Sequence, residues 1–216
     1  MSGAQQVVVV GASGFGRESL DVLEAMVSSG AHLEVLGVVD DAPSATNLDR
    51  LAGRGVRHLG GLETWIATAA ADVQYVLGIG SPAVRARLVA RLDEAGREAF
   101  TAVHPSATFG AGSEPSQGSV VCAGAAVSTN VRFGRHVHVN PNVTIGHDSE
   151  LADFVSLNPG SIISGECLID EQTLVGAGAV VLQQLHVGPR CIIGACACVT
   201  RAVPADSIAV GVPARW

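Results

Sequence analysis

Large apolar residues recur at every sixth position through the second half of the chain. Stepping from Val121 gives Val127, Phe133, Val139, Ile145, Leu151, Leu157, Ile163, Ile169, Val175, Val181, Val187, Ile193 and Val199. With 48% hydrophobic residues overall, fourteen such hits in a row have chance odds on the order of one in thirty thousand. A second column lies four residues further on. It runs from Ala125 and Val131 to Ala197 and Val203 and is small or β-branched everywhere except at Leu185. Backward, Phe109 and Val103 keep the register. Only Pro115 misses, inside the Gly- and Ser-rich stretch 112–118.

Each hexapeptide is then one short strand plus a turn. Three of them close a triangular coil of eighteen residues, and stacked coils bury the apolar column inside the prism. The period predicts a left-handed parallel β-helix over 103–216. It also predicts that residues eighteen apart lie above one another.

Residues 1–102 follow a different pattern. Val7–Val10 reads as a buried strand that enters Gly11-Ala12-Ser13-Gly14-Phe15-Gly16 and then a helix to about Ser28. Val35–Val39 reads as a second strand ending at Asp40-Asp41. A helix around Leu62–Ala70, a strand Tyr75–Ile79, a helix from Pro82 to about Glu94 and a short strand Phe100–Val103 follow. Pro82 suits the first position of a helix. Alternating strands and helices predict an α/β, Rossmann-like subdomain with a short parallel sheet. Glycines after the first strand let backbone approach a phosphate at a helix N-terminus, and an acidic residue after the second strand can bind a ribose hydroxyl. The spacing G-x-x-G-x-G differs from the dinucleotide fingerprint, and a plain strand–helix turn fits it as well. Asp40 and Asp41 equally suit turn caps.

Charge narrows the function classes. The chain carries 13 basic and 20 acidic residues for a net charge of −7, and every basic residue is arginine. That balance argues against a broad nucleic-acid surface. No apolar run reaches the ~20 residues of a membrane span, and Val7–Val10 reads as a strand rather than part of a leader. The five cysteines are odd in number and lack metal-ligand spacing, so they read as small buried apolar residues. A cytoplasmic location is the expectation. His136 and His186 read as surface residues, His32 and His58 as loop residues, and His104 as a domain-junction residue.

The two halves together resemble the sugar acetyltransferases of the PglD and NeuD type. The resemblance rests on Val8-Val9-Val10-Gly11-Ala12-Ser13-Gly14, Val38-Val39-Asp40-Asp41, Leu77-Gly78-Ile79-Gly80, His104-Pro105-Ser106-Ala107, Gly146-His147-Asp148 and the ending Val210-Gly211-Val212-Pro213-Ala214-Arg215. It implies transfer of acetyl from acetyl-CoA to the amino group of a nucleotide-linked sugar, by a homotrimer with its sites between rods and with no metal. His147 is implied as general base, oriented by Asp148. An imidazole with an ordinary pKa near ~6.5 is suited to that task. Side chains of strand neighbours point to opposite faces, so contact between His147 and Asp148 requires a turn.

Gly165 stacks over His147 in the eighteen-residue register and should leave open space beside the imidazole. With Ala177 and Ala195 it is the implied set of coenzyme contacts. Gly11, Ser13, Gly14, Phe15, Asp40, Asp41, Asn140 and His138 are the candidate acceptor contacts. Asn140 also suits a ladder with Asn158 inside the rod. A second histidine expected from the resemblance falls on Ser156, and His138, one coil earlier, is its candidate substitute. The loop residue Phe15 stands where the resemblance leads one to expect histidine, and it suits either stacking on a base or packing. O-acetylation of a sugar or sialic acid hydroxyl is the alternative. A γ-carbonic-anhydrase-like metal lyase using His136, His138 and His147, and a non-catalytic binding protein, are alternatives of other classes.

Overall fold

The structure, a computed structural model, describes residues 3–216. The N-terminal region runs β1 (Gln5–Val10), α1 (Gly14–Ser28), β2 (Leu33–Val39), α2 (Ala45–Ala52), α3 (Leu62–Thr68), β3 (Gln74–Leu77) and α4 (Pro82–Glu94). The three strands pair in parallel in the order β2-β1-β3. Val7, Val8 and Val9 are fully buried. β1 is the central strand and packs on both faces, which is why its sequence is continuously apolar rather than alternating. α1 covers one side with Leu20, Val22 and Leu23, and the other side packs Leu62, Trp65, Val89 and Leu92. The sequence pattern does not predict α2. It is one short helix that buries only Leu51, and its N-terminus is capped by Ser44 Oγ, which accepts from the Asn47 amide at 3.2 Å. The third strand spans 74–77 rather than 75–79.

From Ala102 onward the chain forms seventeen two-residue strands arranged as a solenoid of three parallel sheets. The register is eighteen: Thr144 pairs with Ile162, and Ile145 with Ile163. The second residue of each pair points into the prism, and the apolar column from Val121 to Val199 lines one continuous core. The first residue of each pair points outward and gives each face its character. On one face the outward residues are Ala102, Val120, His138, Ser156, Leu174, Ile192 and Ile208. On the second they are Thr108, Ala126, Thr144, Ile162, Val180 and Cys198. On the third they are Arg132, Glu150, Leu168 and His186. The third face starts a coil late because its first place falls at Pro115, where there is no strand.

Every corner from 112 to 196 places the same hexapeptide position in the left-handed region. Ten of these corner residues are not glycine, among them His136 (φ 55°), Asp148 (φ 57°) and Phe154 (φ 62°). Each turn there resembles the others, so the corners form vertical columns as the strands do.

The N-terminal region sits on the lower half of the first face, which is therefore the docked face. Ala102, Val120, His138 and Ser156 are buried under it, whereas Ile192 and Ile208 further up are exposed. The other two are the open face and the charged face, the latter named for its Arg132–Glu150 ion pair. Among the described residues no helix is long and apolar enough to cross a membrane.

Candidate functional site

His147 lies at the corner between the open face and the charged face, two residues past the inward Ile145. The left-handed backbone at Asp148 removes the strand alternation that would separate the two side chains. Imidazole Nδ1 lies 2.7 Å from Asp148 Oδ2, with the side chains 54% and 48% exposed. The other carboxylate oxygen accepts from Asn130 Nδ2 at 3.0 Å. Asn130 is eighteen residues before Asp148, in the same corner column, so the register could have located it. The hydrogen bonds from Asn130 and from His147 hold the Asp148 carboxyl below its ordinary value, with the Asn130 contribution first. A carboxylate fixed in this way holds the ring with Nε2 free.

Gly165 takes its expected place above the ring, but the space is not open. A Cβ on Gly165 would lie 2.6 Å from His147 Nε2, so the imidazole packs directly against the glycine backbone. Its register is fixed by the Glu166 amide donating to the His147 carbonyl at 2.8 Å. Flanking amides at Ser164 and Glu166 make rungs between coils, whereas none of the backbone rungs uses the Gly165 amide. The amides of Ala177 and Ala195 stand at the equivalent hexapeptide position and likewise make no rung. These two residues, however, occupy the corner between the docked and open faces, as does Asn140. The candidate coenzyme and base residues of one rod thus divide between the two corners that flank the open face.

Asn140 is 7% exposed and donates from Nδ2 to the Leu157 carbonyl at 2.9 Å. The rung is to the backbone of the next coil, rather than to the side chain of Asn158.

In the N-terminal region, a cavity of about 250 Å³ opens at the C-terminal ends of β1 and β2. Gly11, Asp40 and Asp41 line it together with Ile79, Val84 and Leu88. Gly11 has φ +113°, and a side chain there would meet Ile79 Cδ1 at 2.6 Å. A Cβ on Gly16 would overlap the Gly11 carbonyl, so the loop can fold back on α1 only with glycine there. Asp40 accepts from the Ala12 amide at 2.8 Å and from the Ala42 amide at 3.0 Å. Asp41 accepts from the Leu62 amide at 2.7 Å and so caps α3. Both carboxylates therefore already do the turn-capping work that the sequence allowed, while still facing the cavity. Ser13 and Gly14 are exposed at the start of α1, and Ser13 makes no side-chain cap.

Two expectations about the remaining residues fail for one reason: the docked domain covers them. Phe15 turns away from the cavity and stacks on His138 with ring centroids 4.5 Å apart. His138 is only 1% exposed and thus closed to a ligand in this arrangement. His136, expected at the surface, is fully buried and stacked between Tyr75 (6.1 Å) and Phe154 (5.5 Å). Burial and the Arg135 charge push His136 down to about 4. Burial, then the Arg85 charge, holds His138 well below its ordinary value. Neutral, buried His136 and His138 do not converge with exposed His147 on one metal position, and among the described residues no group of three or more His, Cys, Asp or Glu side chains could hold a metal ion. His186 is exposed and pairs with Asp170 at 2.7 Å. Cys122, Cys167 and Cys191 are buried as expected, but Cys196 is exposed and Cys198 half-buried.

Comparison with known proteins bears on the whole chain. The PglD N-terminal domain family matches residues 6–92. GDP-perosamine N-acetyltransferase of Escherichia coli O157:H7 is 28% identical over 190 residues, which is 87% of this chain and 82% of that protein. The acetyltransferase domain of PglB from Neisseria gonorrhoeae FA1090, solved in complex with acetyl coenzyme A, superposes with a TM-score of 0.86. It is 27% identical and covers 99% of both chains. Residues 6–92 thus match the PglD N-terminal domain family, and the chain as a whole is similar to hexapeptide-repeat sugar N-acetyltransferases. Another structure with this architecture is PerB from Caulobacter crescentus in complex with CoA and GDP-perosamine. Its TM-score is 0.86 at 25% identity, over 97% of this chain and 96% of that one. The PglD-type architecture of an N-terminal α/β unit on a left-handed β-helix is therefore shared over almost the full length.

Proposed function

We propose that this chain transfers the acetyl group of acetyl-CoA to the amino group of a nucleotide-linked amino sugar, with His147 as general base. The observation that carries the assignment is the His147–Asp148 pair at 2.7 Å with Nε2 free beside Gly165. The sugar amine attacks the thioester carbonyl, a C–N bond forms, and the amine proton passes to Nε2. The C–S bond then breaks, and the imidazolium returns that proton to the departing thiolate. Asp148 stabilises the imidazolium in between. The unrunged Gly165 amide suits the developing oxyanion, a contribution of about 3 kcal/mol where such a donor is well placed. The amides of Ala177 and Ala195 suit the carbonyls of the coenzyme's pantetheine arm.

The acceptor's nucleotide fits the cavity beside Gly11, Asp40 and Asp41. A GDP-linked amino sugar is the first acceptor to try, since the Escherichia coli relative is a GDP-perosamine N-acetyltransferase.

The working form is a homotrimer. The two corners that flank the open face hold different parts of the site, so three rods with that face toward a common axis bring His147 of one against Ala177 and Ala195 of the next. The outward column of the open face supports this, being uncharged and exposing Ile162. The five free thiols suit a reducing, cytoplasmic location.

The test is an acceptor screen with acetyl-CoA that follows free thiol across UDP-, GDP- and TDP-linked amino sugars and free sialic acid. Thiol release with an amino sugar, and an amide in the product, is expected. Release with sialic acid alone would make the enzyme an O-acetyltransferase, and no release with any acceptor would overturn the reading.

A further inference from the structure

Arg85 is fully buried and, among the described residues, has no carboxylate partner. It lies in the first turn of α4, where a cation also opposes the helix dipole. A buried guanidinium is costly to desolvate. What surrounds it is a set of oxygens from two regions. Nη1 donates to the Ile79 carbonyl at 3.0 Å and to the Gly80 carbonyl at 3.2 Å. Nη2 donates to the Phe154 carbonyl at 2.7 Å, to Ser156 Oγ at 2.9 Å and to the Val155 carbonyl at 3.3 Å. Nε has no partner. Burial lowers its pKa to about 9, so the group stays charged at neutral pH.

Both ends of this bridge matter to the reaction. Ile79 walls the acceptor cavity. Phe154–Ser156 belongs to the same coil as His147, one corner further along the chain. Ser156 also occupies the place where a histidine was expected, and its small hydroxyl leaves room for the guanidinium. We propose that Arg85 is a positioning residue, which holds the Ile79–Gly80 loop of the acceptor cavity against the coil that bears His147. Ser156 is its receptor on the rod. This rests on the acetyltransferase reading of the site. Arg85 touches no reacting atom. It sets where the acceptor's sugar end lies once the nucleotide is seated.

The experiment compares wild type with Arg85→Lys, Arg85→Met and Ser156→Ala, each first checked for wild-type oligomeric mass. KM is then measured separately for acceptor and for acetyl-CoA. Losing bonds to a charged group is expected to raise the acceptor KM about tenfold in Arg85→Met and about threefold in Ser156→Ala, with acetyl-CoA KM within about twofold. Arg85→Lys should recover part of the loss. A purely structural role would lower stability without this split, so unchanged acceptor KM, or equal shifts in both KM values, overturns the proposal. Should Arg85→Met not fold, Arg85→Lys and Ser156→Ala decide it by the same split. If wild type turns over no acceptor, the acetyltransferase reading fails on its own. The bridge is then judged by protease cleavage between residues 100 and 105: faster cutting in the variants supports it, and wild-type rates overturn it.

Discussion

A short stretch of the rod, residues 136–147, carries three histidines in two opposite settings. His147 stands at an exposed corner with a carboxylate on Nδ1 and Nε2 free. His136 and His138 lie on the other side of the prism under the docked domain, buried among aromatic rings and beside the Arg85 charge. The second setting penalises a charged ring, whereas the first pairs the ring with a carboxylate. A histidine's work on a repetitive scaffold is thus decided by which neighbour covers its face, and the repeat itself is indifferent to the matter.

The contrast can be broken most sharply at the exposed histidine. His147→Ala should lower kcat by about 10²–10⁴-fold while the oligomer and coenzyme affinity survive. Near-normal turnover by that variant would remove His147 as the base.

The buried side should show itself in stability. His136 titrates at about 4 in the fold and near its ordinary 6.5 when unfolded. Between those values the unfolded chain binds the extra proton, so stability is full above pH 6.5. It is lost as pH falls toward 4, by an amount on the order of 3 kcal/mol. His138 adds to the loss in the same direction. Thermal melts from pH 7 to pH 4 would reveal this slope, and His136→Phe, which keeps the ring stack, should flatten it. A slope that is the same in that variant would mean that His136 is not a buried neutral group.

Smaller effects sharpen the exposed setting. Gly165→Ala places a methyl where the imidazole lies, and kcat should fall by about ten- to a hundredfold because the ring must move. Asp148→Asn, which removes the charge beside Nδ1, should cost about tenfold in kcat. Asn130→Ala, which frees one carboxylate oxygen, should cost only about two- to threefold. Equal losses for Asp148→Asn and Asn130→Ala would mean that the carboxylate matters only as a member of the Asn130 rung.

The rod was legible in the sequence because its energetics repeat. One inward residue per six, and one left-handed corner per six, place Gly165 over His147 from arithmetic alone. That same arithmetic carried the base as far as its corner, though the contact with Asp148 depends on a backbone conformation that the pattern does not display. The N-terminal region offers no such averaging. Phe15 could be placed only by knowing that His138, far along the chain, lies beneath it. Arg85 carries no sign of burial, since it sits on a helix otherwise rich in exposed arginine. His136 was misjudged because a corner residue is ordinarily solvent-facing, and only domain docking covers this one. α2 escaped because eight residues with one buried leucine leave almost no periodic trace.

The eighteen-residue coil also restricts how this chain can change in length. Removing one hexapeptide would keep the apolar column intact, yet every residue beyond the cut would turn onto the next face. A cut between Asn140 and His147 would carry the base to a different edge of the prism. Only losses or gains of a full eighteen leave the faces in place. The chain shortens its coil only near the end, where Ile192 pairs with Ile208 at a separation of sixteen. That departure lies beyond every candidate site residue, where a change of count no longer rotates anything that must meet.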